Sequence, residues 1–352
     1  MPELFVLGTG QEDNIGDVVL RREYFDRLRK VGRLHIYLGD SSADFLESLD
    51  LHQEDVIYSN LRQWHRAAWR ALFQGKVWFV DKPGELGLDD RTLRRQIKLL
   101  PLVLGTRLRG GQVLRLGMAM RAMNPVYFKY LRLLFRLSTE VRWRDSTTKT
   151  AFLFGSVSPD WAFGWPPSGT QLVDNDRPLI AVTYREDRDS PSDTLLESLR
   201  ALAHASSRRL VVVTQVRRDG VRSAELATRL NAELIPWPAD RTLLDHENVL
   251  REIYQNSVLV VSDRLHALIV GMTEGAVPLC VTDRAETKIG RHFDAVGFPR
   301  STVSLEVIPN SLDTIFEEQM ARCAEAQTVT QAAWNDLNDL TAHLELLATN
   351  KR

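Results

Sequence analysis

The sequence predicts an α/β protein made of two doubly wound, Rossmann-like domains followed by C-terminal helices. Three observations carry this. The chain has 352 residues, more than one ordinary hydrophobic core holds. Short apolar runs alternate with amphipathic stretches in both halves, the pattern of strands and helices in a parallel sheet. Midway, residues 155–178 (GSVSPDWAFGWPPSGTQLVDNDRP), rich in Gly, Pro, Ser and Asp, break the rhythm and read as a linker. The expected division is residues 1–170 and residues 171–352.

Taken in order, Leu4–Leu7 reads as a strand, Val18–Arg29 as a helix, Leu34–Leu38 as a strand, Leu61–Phe73 as a helix and Val77–Val80 as a strand. Val113–Leu116, Pro125–Arg136 and Val141–Arg144 continue as strand, helix, strand. In the second half LIAVTY (179–184) and RLVVVTQ (209–215) are β-rich runs with a helix pattern between them. VLVVS (258–262), a helix to Gly275 and VPLCVT (277–282) form a strand, helix, strand unit. The stretch from about Leu312 to Leu347 is helical in pattern and polar enough for a surface.

Apolar residues at 44% and charged residues at 26% describe a protein that folds in water. No apolar run reaches the roughly 20 residues of a membrane span, and MPELFVLGTG lacks the features of a secretion signal. Cys280 and Cys323 have no paired spacing, which suggests neither a disulfide framework nor a zinc site. A cytoplasmic location is expected. The net charge is −1, but residues 91–150 carry 14 Lys and Arg against Glu140 and Asp145, so this stretch is +12 and the remainder −13. Two readings stay open: a solvated face, or attraction to phosphates or an anionic membrane surface. Nucleic acid is not expected, since no aromatic residues alternate with the basic ones in a binding motif.

The candidate site residues gather where predicted strands stop. Ser262 or Asp263 can cap the helix after VLVVS, whose free N–H groups and positive dipole end favour an anion. Arg264 adds a fork of donors, and His266 supplies an imidazole, a side chain suited to proton transfer. In a regular helix these two point about 200° apart, so they converge only at a frayed first turn. Arg185 follows strand 179–184 and Lys288 follows strand 277–282, at the same edge. Either Arg185, Arg264 and Lys288 ring one pocket, or they form surface salt bridges with Glu186, Asp263 or Glu286. His266 can equally be a core histidine bonded to a backbone carbonyl. In the first half a strand runs into GTGQEDNIGDVV, where Asn14, Gly16 and Asp17 either cradle a ligand or cap the helix; GxGxxG and the P-loop lysine are absent. No cluster has metal-ligand spacing.

Several separated stretches together resemble the polysaccharide pyruvyl transferase family. NIGD (14–17) resembles its N-terminal loop, VRWRDSTT (141–148) the strand ending in Arg-Asp, SPDWAF (158–163) its Asp-x-Ala-Phe, and AVTYRE (181–186) its strand ending in Arg. TQVRRDG (214–220) is a looser match. SDRLHALIVGMTEGAVPLCV (262–281) with Lys288 is similar to its Arg-x-His helix, Gly-x-Pro turn and following lysine. Asp13 stands where the family has glycine, and the central glycine-rich segment is reduced to Gly110 and Gly111.

The resemblance implies a glycosyltransferase B (GT-B) type fold and transfer of pyruvate from phosphoenolpyruvate to two sugar hydroxyls as a cyclic ketal, releasing phosphate. Arg185, Arg264, Lys288 and Ser262 would hold phosphoenolpyruvate, and His266 would protonate its methylene carbon. Arg185, Arg264 and Lys288 would also stabilise departing phosphate, while Asn14, Gly16 and Asp17 would serve the acceptor, with Asp17 orienting or deprotonating it from the opposite domain. No cofactor or metal is implied. The acceptor would be a glycan or lipid-linked saccharide in cell-envelope polysaccharide biosynthesis, with stretch 91–150 drawing the protein to the inner face of the membrane. Two other readings remain: a nucleotide-sugar-dependent GT-B glycosyltransferase, and a non-catalytic protein that binds glycan or lipid phosphate.

Overall fold

A computed structural model describes residues 1–167, 177–283, 287–306 and 312–349. By its internal contacts the chain divides into two compact units. One comprises Met1–Gly10, Leu20–Trp161 and Asp336–Arg352; the other comprises Gln11–Val19 and Ala162–Asn335. The expected boundary at 170/171 lies outside the described residues.

The first unit holds β1 (Glu3–Leu7), most of α1 (Ile15–Val31), β2 (Arg33–Tyr37), α2 (Ala43–Ser48), β3 (Val56–Tyr58), α3 (Leu61–Gln74) and β4 (Val77–Val80). It continues through β5 (Gly84–Leu86), α4 (Asp90–Leu108), β6 (Val113–Met120), α5 (Pro125–Phe135), β7 (Glu140–Trp143), α6 (Ser146–Phe152) and β8 (Ser156–Val157). The eight strands form one sheet, ordered β3-β2-β1-β4-β6-β7-β8 with β5 paired to β6. The strands of the sheet centre are apolar throughout because helices cover both faces: Leu4, Phe5, Val6, Phe79, Val80 and Leu114 are wholly buried. Side-chain caps set several helix starts. Asn60 accepts from the N–H groups of Arg62 and Gln63, Asp89 from Thr92, and Asn124 from Val126 ahead of a first-turn Pro125.

The sequence reading did not assign α4. Pro101 stands in its middle, where it removes a helix hydrogen bond. Pro101 and Ile97, the residue whose carbonyl loses that bond, are both exposed. Nor is the stretch from 155 simply a linker: β8 pairs with β7, and Trp161 is buried with its indole N–H donating to the Leu116 carbonyl at 3.2 Å. Residues 168–176 of that stretch lie outside the described residues.

The second unit holds β9 (Leu179–Thr183), α7 (Asp193–Ala205), β10 (Arg209–Val213), α8 (Gly220–Leu230), β11 (Glu233–Ile235), α9 (Leu243–Gln255) and β12 (Ser257–Ser262). After these come α10 (Leu265–Thr273), β13 (Val277–Thr282), α11 (Thr287–Ala295), β14 (Thr302–Ser304), α12 (Leu312–Met320) and the long α13 (Cys323–Thr349), whose end belongs to the first unit. The six strands run β11-β10-β9-β12-β13-β14, every described pairing parallel. The order reverses at β9 and β12, which pair directly with Thr183 opposite Ser262. Ligands of such sheets bind beyond the carboxyl ends of the two strands at this reversal. Two parallel Rossmann-like sheets with C-terminal helices are the predicted fold class. Among the described residues no helix is long and apolar enough to cross a membrane.

Candidate functional site

The site lies where β9 and β12 end. Both strands stop on a polar residue wholly buried in the sheet, Thr183 and Ser262. The chain then turns outward, delivering Tyr184–Arg188 from one strand and Asp263–His266 from the other.

The helix after β12 is not capped as expected. Neither Ser262 nor Asp263 caps it; Arg264 occupies the cap position with an extended backbone and no side-chain cap bond. Ser262 Oγ instead accepts from the Arg264 backbone N–H at 2.8 Å, which fixes the turn. Arg264 therefore stands outside the helix and His266 inside it, so the angular separation of a regular helix does not apply to the pair.

The guanidinium groups here are held by carboxylates. Arg264 grips Asp219 with both arms of its fork, Nη2 reaching Oδ1 at 2.6 Å and Nε bonding Oδ2. Asp219 is wholly buried and also accepts from the Glu186 N–H at 3.0 Å. Arg185 pairs with Asp187 in the same two-armed way, at 2.7 and 2.6 Å. These hydrogen bonds hold the Asp187 carboxyl down to about 2 and raise the Arg185 pKa. Asp263 accepts from the Arg185 backbone N–H at 2.9 Å and lies 3.6 Å from Arg188. Burial pushes its pKa up, against the pull of that N–H and the nearby arginines. The salt-bridge partner of Arg185 is thus Asp187 and that of Arg264 is Asp219, neither of them an expected one; Glu286 lies outside the described residues.

The loop after β1 belongs to this unit. The Asn14–Asp17 loop was expected on the opposite domain, yet residues Gln11–Val19 pack with the second unit because the loop bonds to the turn after β10. Asn14 makes a bridge with Val216, and the Arg217 N–H donates to the Asp13 carbonyl at 2.9 Å. Arg218 clasps the Asp13 carboxylate at 2.7 Å through two nitrogens. Asn14 Oδ1 accepts from the Gly16 N–H at 3.0 Å, which caps α1, and Asp17 Oδ2 accepts from the Gln11 N–H at 2.8 Å. Gly16 then lies directly against the half-buried His266: a Cβ there would meet His266 Cβ at 2.2 Å and Nδ1 at 2.6 Å.

The structure thus brings together Asn14, Gly16, Asp17, Arg185, Ser262, Arg264 and His266 around the turn Val216–Asp219. Lys288 is half-buried in the first turn of α11, its carbonyl bonded by the His292 ring at 2.7 Å. Sequence reasoning missed Asp187 and Asp219, and it missed Arg188 and Tyr184. A cavity of about 440 Å³ opens past the carboxyl ends of β9, β12 and β13, beside Arg188 and not against Arg185 or Arg264. Its wall includes Tyr184, Arg188 and the carboxylates Asp187, Asp189, Asp263 and Asp283. Tyr184 is anchored by donating to the Val281 carbonyl at 2.8 Å. Among the described residues no group of His, Cys, Asp or Glu is arranged to hold a metal ion.

Two parallel Rossmann-like sheets with a ligand-sized cavity at the reversal of the second define a GT-B-like architecture, and known structures share it along the whole chain. A Listeria monocytogenes protein assigned as a UDP-N-acetylglucosamine 2-epimerase superposes with a TM-score of 0.57 at 13% identity, covering 98% of this chain and 97% of that one. The Anabaena HepE protein, in complex with UDP and glucose, gives 0.58 at 12%, covering 99% and 100%. A glycosyltransferase from Rickettsia africae gives 0.57 at 11%, covering 99% of each chain. No protein-family model matches the sequence, that of the pyruvyl transferases included, and no curated protein is similar to it in sequence.

Proposed function

We propose that the protein is a sugar-modifying enzyme of GT-B type that takes a nucleotide-sugar as donor. The lining of the cavity beyond β9, β12 and β13 carries this reading: four carboxylates, one guanidinium and a buried tyrosine. Hydroxyl groups donate to carboxylates, so such a wall suits the ribose or hexose of a nucleotide-sugar. Phosphoenolpyruvate has no hydroxyl to donate, so it would give these four acceptors no hydrogen bond. Arg188 on the same wall offers a fork for a diphosphate. That fold-sharing proteins were crystallised with UDP, or with UDP and glucose, agrees with this. Thermal unfolding with UDP, UDP-sugars and phosphoenolpyruvate in separate wells tests it. A nucleotide-sugar at about 100 times its Kd adds roughly 2.7 kcal/mol to stability, a rise of several degrees. A shift with phosphoenolpyruvate and none with any nucleotide-sugar would overturn the reading.

One observation favours pyruvyl transfer as a second reading. Gly16 and His266, which belong to separate stretches of the pyruvyl transferase resemblance, are in contact within one unit. On this reading His266 protonates the donor, while Arg185, Arg264, Lys288 and Ser262 hold it and Asn14, Gly16 and Asp17 serve the acceptor. The donor's carboxylate and phosphate would then compete with Asp187 and Asp219 for the two arginine forks. Phosphate release from phosphoenolpyruvate in the presence of simple glycosides tests it directly; an acceptor on a lipid carrier would place the reaction at a bilayer.

A further inference from the structure

We propose that the outer faces of α3, α4 and α5 form a docking surface for an anionic lipid bilayer. These helices lie side by side, α4 touching both of the others. Residues 56–80 and 91–139, which hold α3, α5 and α4 beyond its first residue, contain no Asp or Glu.

On a helix that only faces water, the outward stripe carries charged and polar side chains. Here it does not. The inner face of α4 is buried through Leu99, Leu102 and Val103, while its outer stripe presents Arg94, Ile97, Lys98, Leu104 and Leu108, with Leu108 86% exposed. The outer stripe of α5 is Val126, Lys129, Tyr130 and Leu133, with Arg136 at the cap that follows; Val126 is 64% and Leu133 66% exposed. On α3, Trp69 and Phe73 stand out beside Arg66 and Arg70, and Phe73 is 77% exposed. Trp69 sits at the seam of two helices, since a Cβ on Gly105 of α4 would touch its ring at 3.2 Å.

Apolar tips interleaved with Lys and Arg, with an aromatic at the seam, are the composition of helices that lie in the bilayer interface. Charge complementarity selects the occupant: cations attract the negative leaflet while aliphatic and aromatic tips enter the headgroup boundary. A polyanion such as nucleic acid would use the cations but has no use for Ile97, Leu104, Leu108, Val126 and Leu133. The proposal stands whichever donor the enzyme uses.

The test is co-sedimentation of the full chain with vesicles of phosphatidylcholine alone or with about one third phosphatidylglycerol, at low and high salt. Binding is expected on the anionic vesicles only, weakened by salt. The double variant Leu108→Glu, Leu133→Glu, at two exposed positions, should lower it by about tenfold or more with an unchanged melting temperature. Brominated lipid should quench tryptophan emission in the parent and less so in Trp69→Phe. Absence of binding at low salt, or binding equal in the double variant and fully competed by a DNA oligonucleotide, overturns the proposal. The second outcome would make the face a general polyanion site.

Discussion

Gly16 lies against His266 so closely that one methyl group on its Cα would stand 2.2 Å from the histidine Cβ. The glycine is needed for this approach and not for a left-handed backbone, since its φ lies outside that region. Gly16→Ala should therefore cost about 1–3 kcal/mol of stability, as overpacking does. In a His266→Gly background the same change should cost less than about 0.5 kcal/mol, because the opposing atoms are gone. A double-mutant cycle by urea unfolding measures the difference. Simple additivity would mean that the loop moves aside from the ring without strain.

Long apolar runs gave the central strands away, because a strand buried on both faces is apolar at every position. The short edge strands β3, β5, β8, β11 and β14 carry two or three residues each and leave no such run. α4 was hidden by Pro101. At the site, the strand-end positions of Arg185 and Arg264 could be read from the chain, but their partners could not. Asp219 is 45 residues from Arg264 and arrives from the turn after β10, so only the β9–β12 pairing and the β10 register bring the two together. Gly16 and His266, 250 positions apart, likewise leave no local trace of their contact.

The Arg264–Asp219 pair should behave as a buried one. Asp219→Ala leaves a guanidinium without its carboxylate and the Glu186 N–H without its acceptor, and should destabilise by about 3–5 kcal/mol. Arg264→Met and Asp219→Leu together should cost less than Asp219→Ala alone, because no charge is stranded. Denaturant midpoints decide; a single-variant loss below about 1 kcal/mol would mean that water already reaches the pair.

If His266 moves a proton in the reaction, His266→Ala should lower kcat by about 10²–10⁴-fold while donor affinity changes by less than about tenfold. Calorimetric titration of the donor identified by thermal shift, run beside steady-state rates, separates the two. An equal loss in both would make His266 a support for the Asn14–Asp17 loop instead.

His246 gives the fold that carries this site a dependence on pH. Its ring is buried, stacks on Trp237 at 4.5 Å, donates from Nε2 to the Thr214 carbonyl at 2.7 Å and faces Arg241 Nη1 at 3.3 Å through Nδ1. Burial first, and the charges of Arg241 and Arg217 after it, lower its pKa from 6.5 to about 4 against the pull of the Thr214 bond. The folded state therefore holds the neutral ring. Its stabilising effect is complete above the unfolded pKa of 6.5 and is lost as pH falls from there toward about 4. Between about pH 7 and pH 5 this should remove on the order of 2 kcal/mol. Thr214 follows β10 and leads into Val216–Asp219, so acid should loosen the turn that holds both the Asn14 loop and Arg264. Urea unfolding at the two pH values should show a smaller drop in His246→Gln than in the parent. An identical drop would assign the acid sensitivity to other groups and leave the ring a packing element alone.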